Sequence, residues 1–117
     1  MKRGEIYKIA LDPTVGSEQQ KTRMCVVVRR NAPDEAAEQR NPMTIIVPLT
    51  DANGKVGNVL NVPVPEGTGG TTKDSLVLIS QVRSIDKRRL ASDKLGDLPT
   101  EIMQQVDHGL RIVLALI

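Results

Sequence analysis

Only one stretch of this chain repeats its apolar residues at helical spacing, and it is the last one. Ile102, Met103, Val106, Leu110, Val113, Leu114 and Ile117 follow one another at intervals of one, three and four, which lines one face of an amphipathic helix. Pro99 suits the first turn of that helix. Upstream, prolines and glycines cut the chain into short β-branched runs that no long helix could use. The runs are 4–11 (GEIYKIAL), 23–30 (RMCVVVRR), 43–50 (MTIIVPLT), 58–65 (NVLNVPVP) and 75–85 (SLVLISQVRSI). Each reads as a strand by alternation or by a continuous apolar run. Pro48 and Pro63 fall inside two of them and point to sheet edges or a bulge. Asn53-Gly54 signals a tight turn. Residues 12–22 and 66–74 read as loops, 31–42 as a loop with one helical turn, and 86–98 as a turn with short extended or helical pieces.

Five or so short, proline-marked strands followed by one helix predict a mostly β, α+β domain: a small barrel-like sheet with a C-terminal helix packed on it. The length of 117 residues fits a single domain, 1–117, with a real core. The apolar helix face suits either that core or a dimer contact.

Several function classes are disfavoured. No apolar run approaches the roughly 18 residues of a membrane span, and Met1-Lys2-Arg3 leads into no signal-peptide core, so a cytoplasmic protein is expected. The single cysteine, Cys25, lies in an apolar run and reads as a small buried residue. The single histidine, His108, lies in the late helix, so a Cys–His nucleophile pair is not expected. The acids are scattered, without the spacing of a metal site, and no metal or cofactor is expected.

The net charge is +2, but residues 1–30 carry seven basic and three acidic side chains, whereas residues 31–50 carry one and three. A locally positive N-terminal third is compatible with a polyanion. Tyr7 is the only aromatic side chain, so bases could not be held mainly by stacking. A nucleic acid would have to be gripped through charge, amides and the backbone. Spacing alone leaves Arg23, at the junction of a glycine-containing loop and an apolar strand, as either an anion clamp or an ordinary salt-bridged arginine. It leaves Thr50 as either a donor at a strand end or a turn residue.

Four separated segments carry a family resemblance. RGEIYKIALDPTVGSEQQKTR (3–23), VPLT (47–50), DSLVLISQVRSIDKRRL (74–90) and LPTEIMQQVDHGLRIVLAL (98–116) together resemble the MazF/PemK/Kid toxins of bacterial toxin–antitoxin pairs, in order and over nearly the whole chain. The resemblance implies an SH3-like barrel, a homodimer, and sequence-specific, metal-independent cleavage of single-stranded RNA, neutralised by a cognate antitoxin. Any DNA binding would come through the antitoxin. It implies Arg23 and Thr50 as the catalytic pair, with Ser17, Glu18, Gln20 and Gln81 binding substrate or supporting the site. Glu18 fits a general base or a structural partner of Arg23 equally.

Two departures stand out. The family usually has Arg-Pro where this chain has Arg23-Met24. The Kid branch has a histidine where Ser17 stands, and an arginine and an aspartate where Leu78 and Ser80 stand, so the MazF-type pair is the one present. The alternatives are a CcdB-like toxin that grips a protein such as DNA gyrase, and a decayed homologue.

Overall fold

The computed structural model describes residues 1–10 and 22–116. Seven antiparallel strands form one sheet: β1 (Glu5–Ala10), β2 (Thr22–Val27), β3 (Met43–Asp51), β4 (Asn61–Val64), β5 (Ser75–Leu78), β6 (Arg83–Asp86) and β7 (Gly96–Asp97). They lie in the order β4-β5-β3-β2-β1-β7, with β6 on β3. Helix α1 (Glu35–Arg40) precedes β3, and α2 (Thr100–Val113) closes the chain. The result is a curled half-barrel with one long C-terminal helix, an α+β fold of the kind the sequence predicts.

β3 is the longest strand and organises the rest. One flank pairs with β2. The other pairs first with β6, over Met43–Ile46, and then with β5, over Leu49–Asp51. This corrects the expectation for Pro48. The strand is central, not an edge. The Val28 N–H donates to the Ile45 carbonyl (2.9 Å), so odd-numbered residues of β3 turn their main-chain groups toward β2 and even-numbered ones toward the other flank. The imide of Pro48 therefore faces the interval between the two ladders, where no rung needs a donor. Pro63, in contrast, lies on β4, a true edge.

The same change of partner divides the expected fifth strand. β5 and β6 serve different halves of β3, and a 3₁₀ turn, Ile79–Gln81, makes the step between them. Ile79 is fully buried there, so its apolar character serves the turn and the helix above it. The expected loop at 31–42 contains α1, capped by Asp34, whose carboxylate accepts from the Ala37 N–H (2.8 Å). The charge run Asp86–Arg89 is only partly solvated. Lys87 Nζ donates to the Glu38 carboxylate (2.7 Å) and carbonyl (2.8 Å), fastening α1 to the end of β6. Hydrogen bonding from Lys87 comes first in holding Glu38 below the ordinary carboxylate range. Burial opposes the shift, and the N-terminal amine adds to it.

Two apolar layers follow from strand alternation. Ile6, Val26, Val47, Leu49 and Val77 face α2, whose Val106 is fully buried among them. Ile9, Cys25, Val27, Ile46 and Ile85 form the second layer on the opposite face. Burying a side chain of this size contributes about 1.5–3 kcal/mol. Ile102, Met103, Leu110 and Val113 pack on the first layer, whereas Leu114, expected on the same face, is 51% exposed. Ile117 lies outside the described residues. Gly109 allows the helix its close seat: a Cβ there would stand 2.7 Å from the Val59 carbonyl oxygen.

Candidate active site

β2 and β3 part company at one end. Their register pairs Val27 with Ile46, Val26 with Val47 and Cys25 with Pro48, where it stops. Carried two residues further, it sets Arg23 opposite Thr50. By alternation both side chains project from the face that carries Cys25, Val27 and Ile46. The diverging strands open a cleft of about 300 Å³, lined by Thr22, Arg23, Met24, Leu49, Thr50, Asp51, Asn53 and Ser75. The pair read from the sequence thus shares one cavity although 26 residues separate its members in the chain.

Each member is pinned on one flank and open on the other. Arg23 pairs with Ile9 of β1, and Thr50 pairs with Leu76 of β5. Both are half-buried. Just past Thr50 the chain reverses through Asn53 (φ 50°) and Gly54 (φ 77°), and the Lys55 N–H donates to the Ala52 carbonyl (2.9 Å). This is the tight turn that Asn-Gly predicts, since two consecutive positive φ angles suit those residues. The Ala52 N–H donates to the Asp74 carbonyl (2.8 Å), so the end of β3 is held from both sides.

Charge in the cleft favours an anion. Among the described residues no ion pair occupies the Arg23 guanidinium. Among the described residues the one carboxylate in the lining, Asp51, lies 3.8 Å from Lys73 Nζ, and both side chains are more than half exposed, so that bridge is weak and screened. A guanidinium offers five donors in a rigid fork that matches phosphate oxygens, and Thr50 adds a hydroxyl. Among the described residues no three His, Cys, Asp or Glu side chains stand close enough together to hold a metal ion.

The remaining sequence candidates fare differently. Ser17, Glu18 and Gln20 lie outside the described residues. Gln81 is exposed on the 3₁₀ turn and does not line this cleft. Asn53 and Ser75 do line it, although the sequence offered them only as turn and strand residues. The Ser75 hydroxyl is buried and donates to the Lys73 carbonyl (2.9 Å), which shapes the cleft wall. Cys25 is a buried apolar residue, as its context suggests. Burial pushes its thiol up to about 12, against a smaller opposite pull from a hydrogen bond with the Tyr7 backbone. Tyr7 is spoken for: burial and its hydrogen bond to Glu5 (2.9 Å) raise its phenol well above the usual value. A larger cavity, of about 700 Å³, lies between the β4 end and α2 and holds His108 beside Glu101, Gln104 and Gln105. Among the described residues no lysine or arginine lines it, and none is shared with the Arg23 cleft.

Residues 2–114 match the family model of the PemK-like, MazF-like toxins of type II toxin–antitoxin systems. The chain belongs to this family. Over 117 residues it is 36% identical to the endoribonuclease EndoA of Bacillus subtilis (strain 168), covering 100% of this chain and 97% of that protein. Over 116 residues it is 32% identical to the endoribonuclease MazF of Staphylococcus epidermidis, covering 99% and 92%. A crystal structure of MazE–MazF from Deinococcus radiodurans shares the fold, with a TM-score of 0.78 at 22% identity over 100% of this chain and 97% of that one. Within a MazF-like toxin the departure at Met24 is absorbed by packing: its side chain is half-buried against the layer beneath α2. Among the described residues of this toxin no helix is long and apolar enough to cross a membrane.

Proposed function

We propose that this chain is a cytoplasmic endoribonuclease toxin that cuts single-stranded RNA at preferred sequences by using the RNA's own 2′-hydroxyl as nucleophile. The observation that carries this reading is the placement of Arg23 opposite Thr50 at the open end of β2 and β3. The 2′-oxygen attacks the adjacent phosphorus while the bond from phosphorus to the 5′-oxygen breaks. The 2′-hydroxyl gives up its proton and the departing 5′-oxygen gains one. The products are a 2′,3′-cyclic phosphate and a 5′-hydroxyl, and no water is consumed. Negative charge grows on the non-bridging oxygens as the bonds exchange. Arg23 would hold these oxygens through its fork and Thr50 through its hydroxyl, both fixed before the reaction begins. Glu18, the nearest carboxylate to Arg23 in sequence, would serve the proton transfer or brace Arg23. Because the nucleophile belongs to the substrate, the scheme uses no metal or cofactor.

With one aromatic side chain in the chain, RNA would be held through phosphates and amides rather than by stacking. Two copies of the chain would form a homodimer that shares the RNA path. A cognate antitoxin with an acidic, extended segment would compete for that path, since a groove that attracts phosphates attracts carboxylates. DNA would be met only through the antitoxin.

The test is cleavage of a mixed-sequence RNA in excess EDTA, beside the same RNA with a 2′-deoxyribose at each mapped cut site. Cleavage of the first and not the second is expected. Activity that needs added magnesium, or that persists on the deoxy substrate, would overturn the mechanism.

A further inference from the structure

A strand between two neighbours turns its main-chain donors to alternate sides, and on β2 this alternation can be read directly. The Gly4 N–H donates to the Val27 carbonyl (2.8 Å), so odd-numbered residues face β1. The Val28 N–H donates to the Ile45 carbonyl (2.9 Å), so even-numbered residues face β3. Val26 faces β3 inside the ladder, opposite Val47. Met24 also faces β3, but the pairing has already ended at Cys25 and Pro48. Beyond that point β3 keeps only its partner on the other flank, β5, through Leu49 and Thr50. The Met24 N–H is thus the first main-chain donor of β2 past the last rung. It turns into the space between the separating strands, and Met24 lines the same cleft as Arg23 and Thr50.

We infer that the Met24 main-chain N–H is a third donor to the phosphate, acting beside the Arg23 guanidinium and the Thr50 hydroxyl. This rests on the reading of the cleft as a phosphoryl-transfer site. Its physical basis is fixity. An amide at the mouth of a paired strand is pinned through Arg23 and Cys25, both paired with β1, and loses no side-chain entropy on meeting an anion. The scissile phosphate's non-bridging oxygens would then have a fork on one side and an amide on the other while the 2′-oxygen adds to phosphorus and the 5′-oxygen departs. The Arg-Pro usual in toxins of this kind would lack the donor without disturbing the β2–β3 ladder, whose register among the described residues ends at Cys25 and Pro48. The donor is therefore a property of this chain's methionine rather than of the fold.

The position of Cys25, the only cysteine, makes a direct test possible. A synthetic 1–24 thioester whose last residue is the α-hydroxy analogue of methionine, ligated to recombinant 25–117, gives the full chain with the Arg23–Met24 amide replaced by an ester. One N–H is lost and every side chain is kept. The control is the same ligation with methionine. Both proteins are compared by thermal melting, by single-turnover cleavage of RNA in EDTA, and by affinity for an uncleavable 2′-deoxy analogue.

The expected result is an ester that melts near the control, binds the analogue within a few-fold of it, and cleaves about 100-fold more slowly, the usual effect of one lost oxyanion donor. An ester that cleaves within twofold of the control overturns the proposal while leaving the reading of the cleft intact. A control that leaves RNA uncut overturns both. If the ester melts below the assay temperature, Met24→Ala and Met24→Pro decide instead. Alanine keeps the N–H and should cleave about 100-fold faster than proline, and equal rates would overturn the proposal.

Discussion

Replacing Arg23 and Thr50 singly and together tests whether the two act on one phosphate, as their register implies. Arg23→Ala removes the charged fork. Losing a donor that meets developing charge costs about 100- to 1000-fold in the chemical step, or about 2.7–4 kcal/mol. Thr50→Val keeps the branched shape opposite Leu76 and removes only a neutral hydroxyl, for which about 0.5–1.5 kcal/mol is the expected net loss, or roughly 2- to 10-fold. Arg23→Lys should fall between parent and alanine, since an ammonium keeps the charge but cannot span two oxygens.

Stability should barely change. Both residues lie beyond the last β2–β3 rung and are half-exposed, and substitutions away from packed groups usually cost within about 0.5 kcal/mol. The double variant carries the information. If both donors hold the same phosphoryl oxygens, the combined loss falls short of the product of the single losses, because groups that act as a unit are not additive. The assay is single-turnover cleavage of an oligonucleotide with one ribonucleotide at the cut site, in EDTA, beside melting curves for each protein. An Arg23→Ala protein that cleaves within threefold of the parent would refute the site. Strictly multiplicative losses would refute the shared phosphate.

Two further predictions concern the frame that holds the site. Gly109→Ala sets helix propensity, worth about 1 kcal/mol in favour of alanine, against a Cβ placed 2.7 Å from the Val59 carbonyl oxygen and 3.1 Å from Ile79. The carbonyl is backbone and cannot swing aside, so overpacking of about 1–3 kcal/mol should prevail and lower the Tm; a raised Tm by calorimetry would contradict the helix seat. Glu38→Gln tests the anchor of α1: its folded pKa is lowered from 4.5, so it stabilises the fold above that value and the contribution is lost as pH falls through the folded pKa. The stability gap between parent and variant, by denaturant titration from pH 7 to pH 3, should therefore close on acidification, and a constant gap would refute the ion-pair assignment.

What could be read from the sequence was what is local. The helix announced itself because its apolar spacing repeats over four turns, and the Asn53-Gly54 turn because two positive φ angles favour those residues. Pro63 marked an edge correctly because β4 has one neighbour. Pro48 misled for a non-local reason. The rule that places proline at edges assumes one partner along each flank of a strand, and β3 has two on one flank. The same change of partner hid the break at Ile79–Gln81, where apolar residues continue through the turn and give no sign that the pairing strand has changed. The closeness of Arg23 and Thr50 depends on a register between two strands with a helix between them, which no local pattern encodes. Only the four-segment resemblance carried it.

The early end of the β2–β3 pairing also explains why an anion-binding cleft can exist at this spot at all. A sheet normally exhausts its main-chain groups in pairing and offers an anion nothing but side chains. Here the pairing of β3 with β2 ends at Pro48 and Cys25, while the other flank of β3 goes on pairing with β5. Residues 22–24 of β2 keep their pairing to β1 on one flank and have an open flank on the other. The pinned flank fixes the direction of the Arg23 side chain and of the Met24 amide, and the open flank exposes them. Thr50 stands in the mirror situation, pinned by β5 and open toward β2. If this cleft is where RNA is cut, donors held by one ladder and free of another would already be oriented before RNA arrives, and little reorganisation would remain when charge develops on the phosphate.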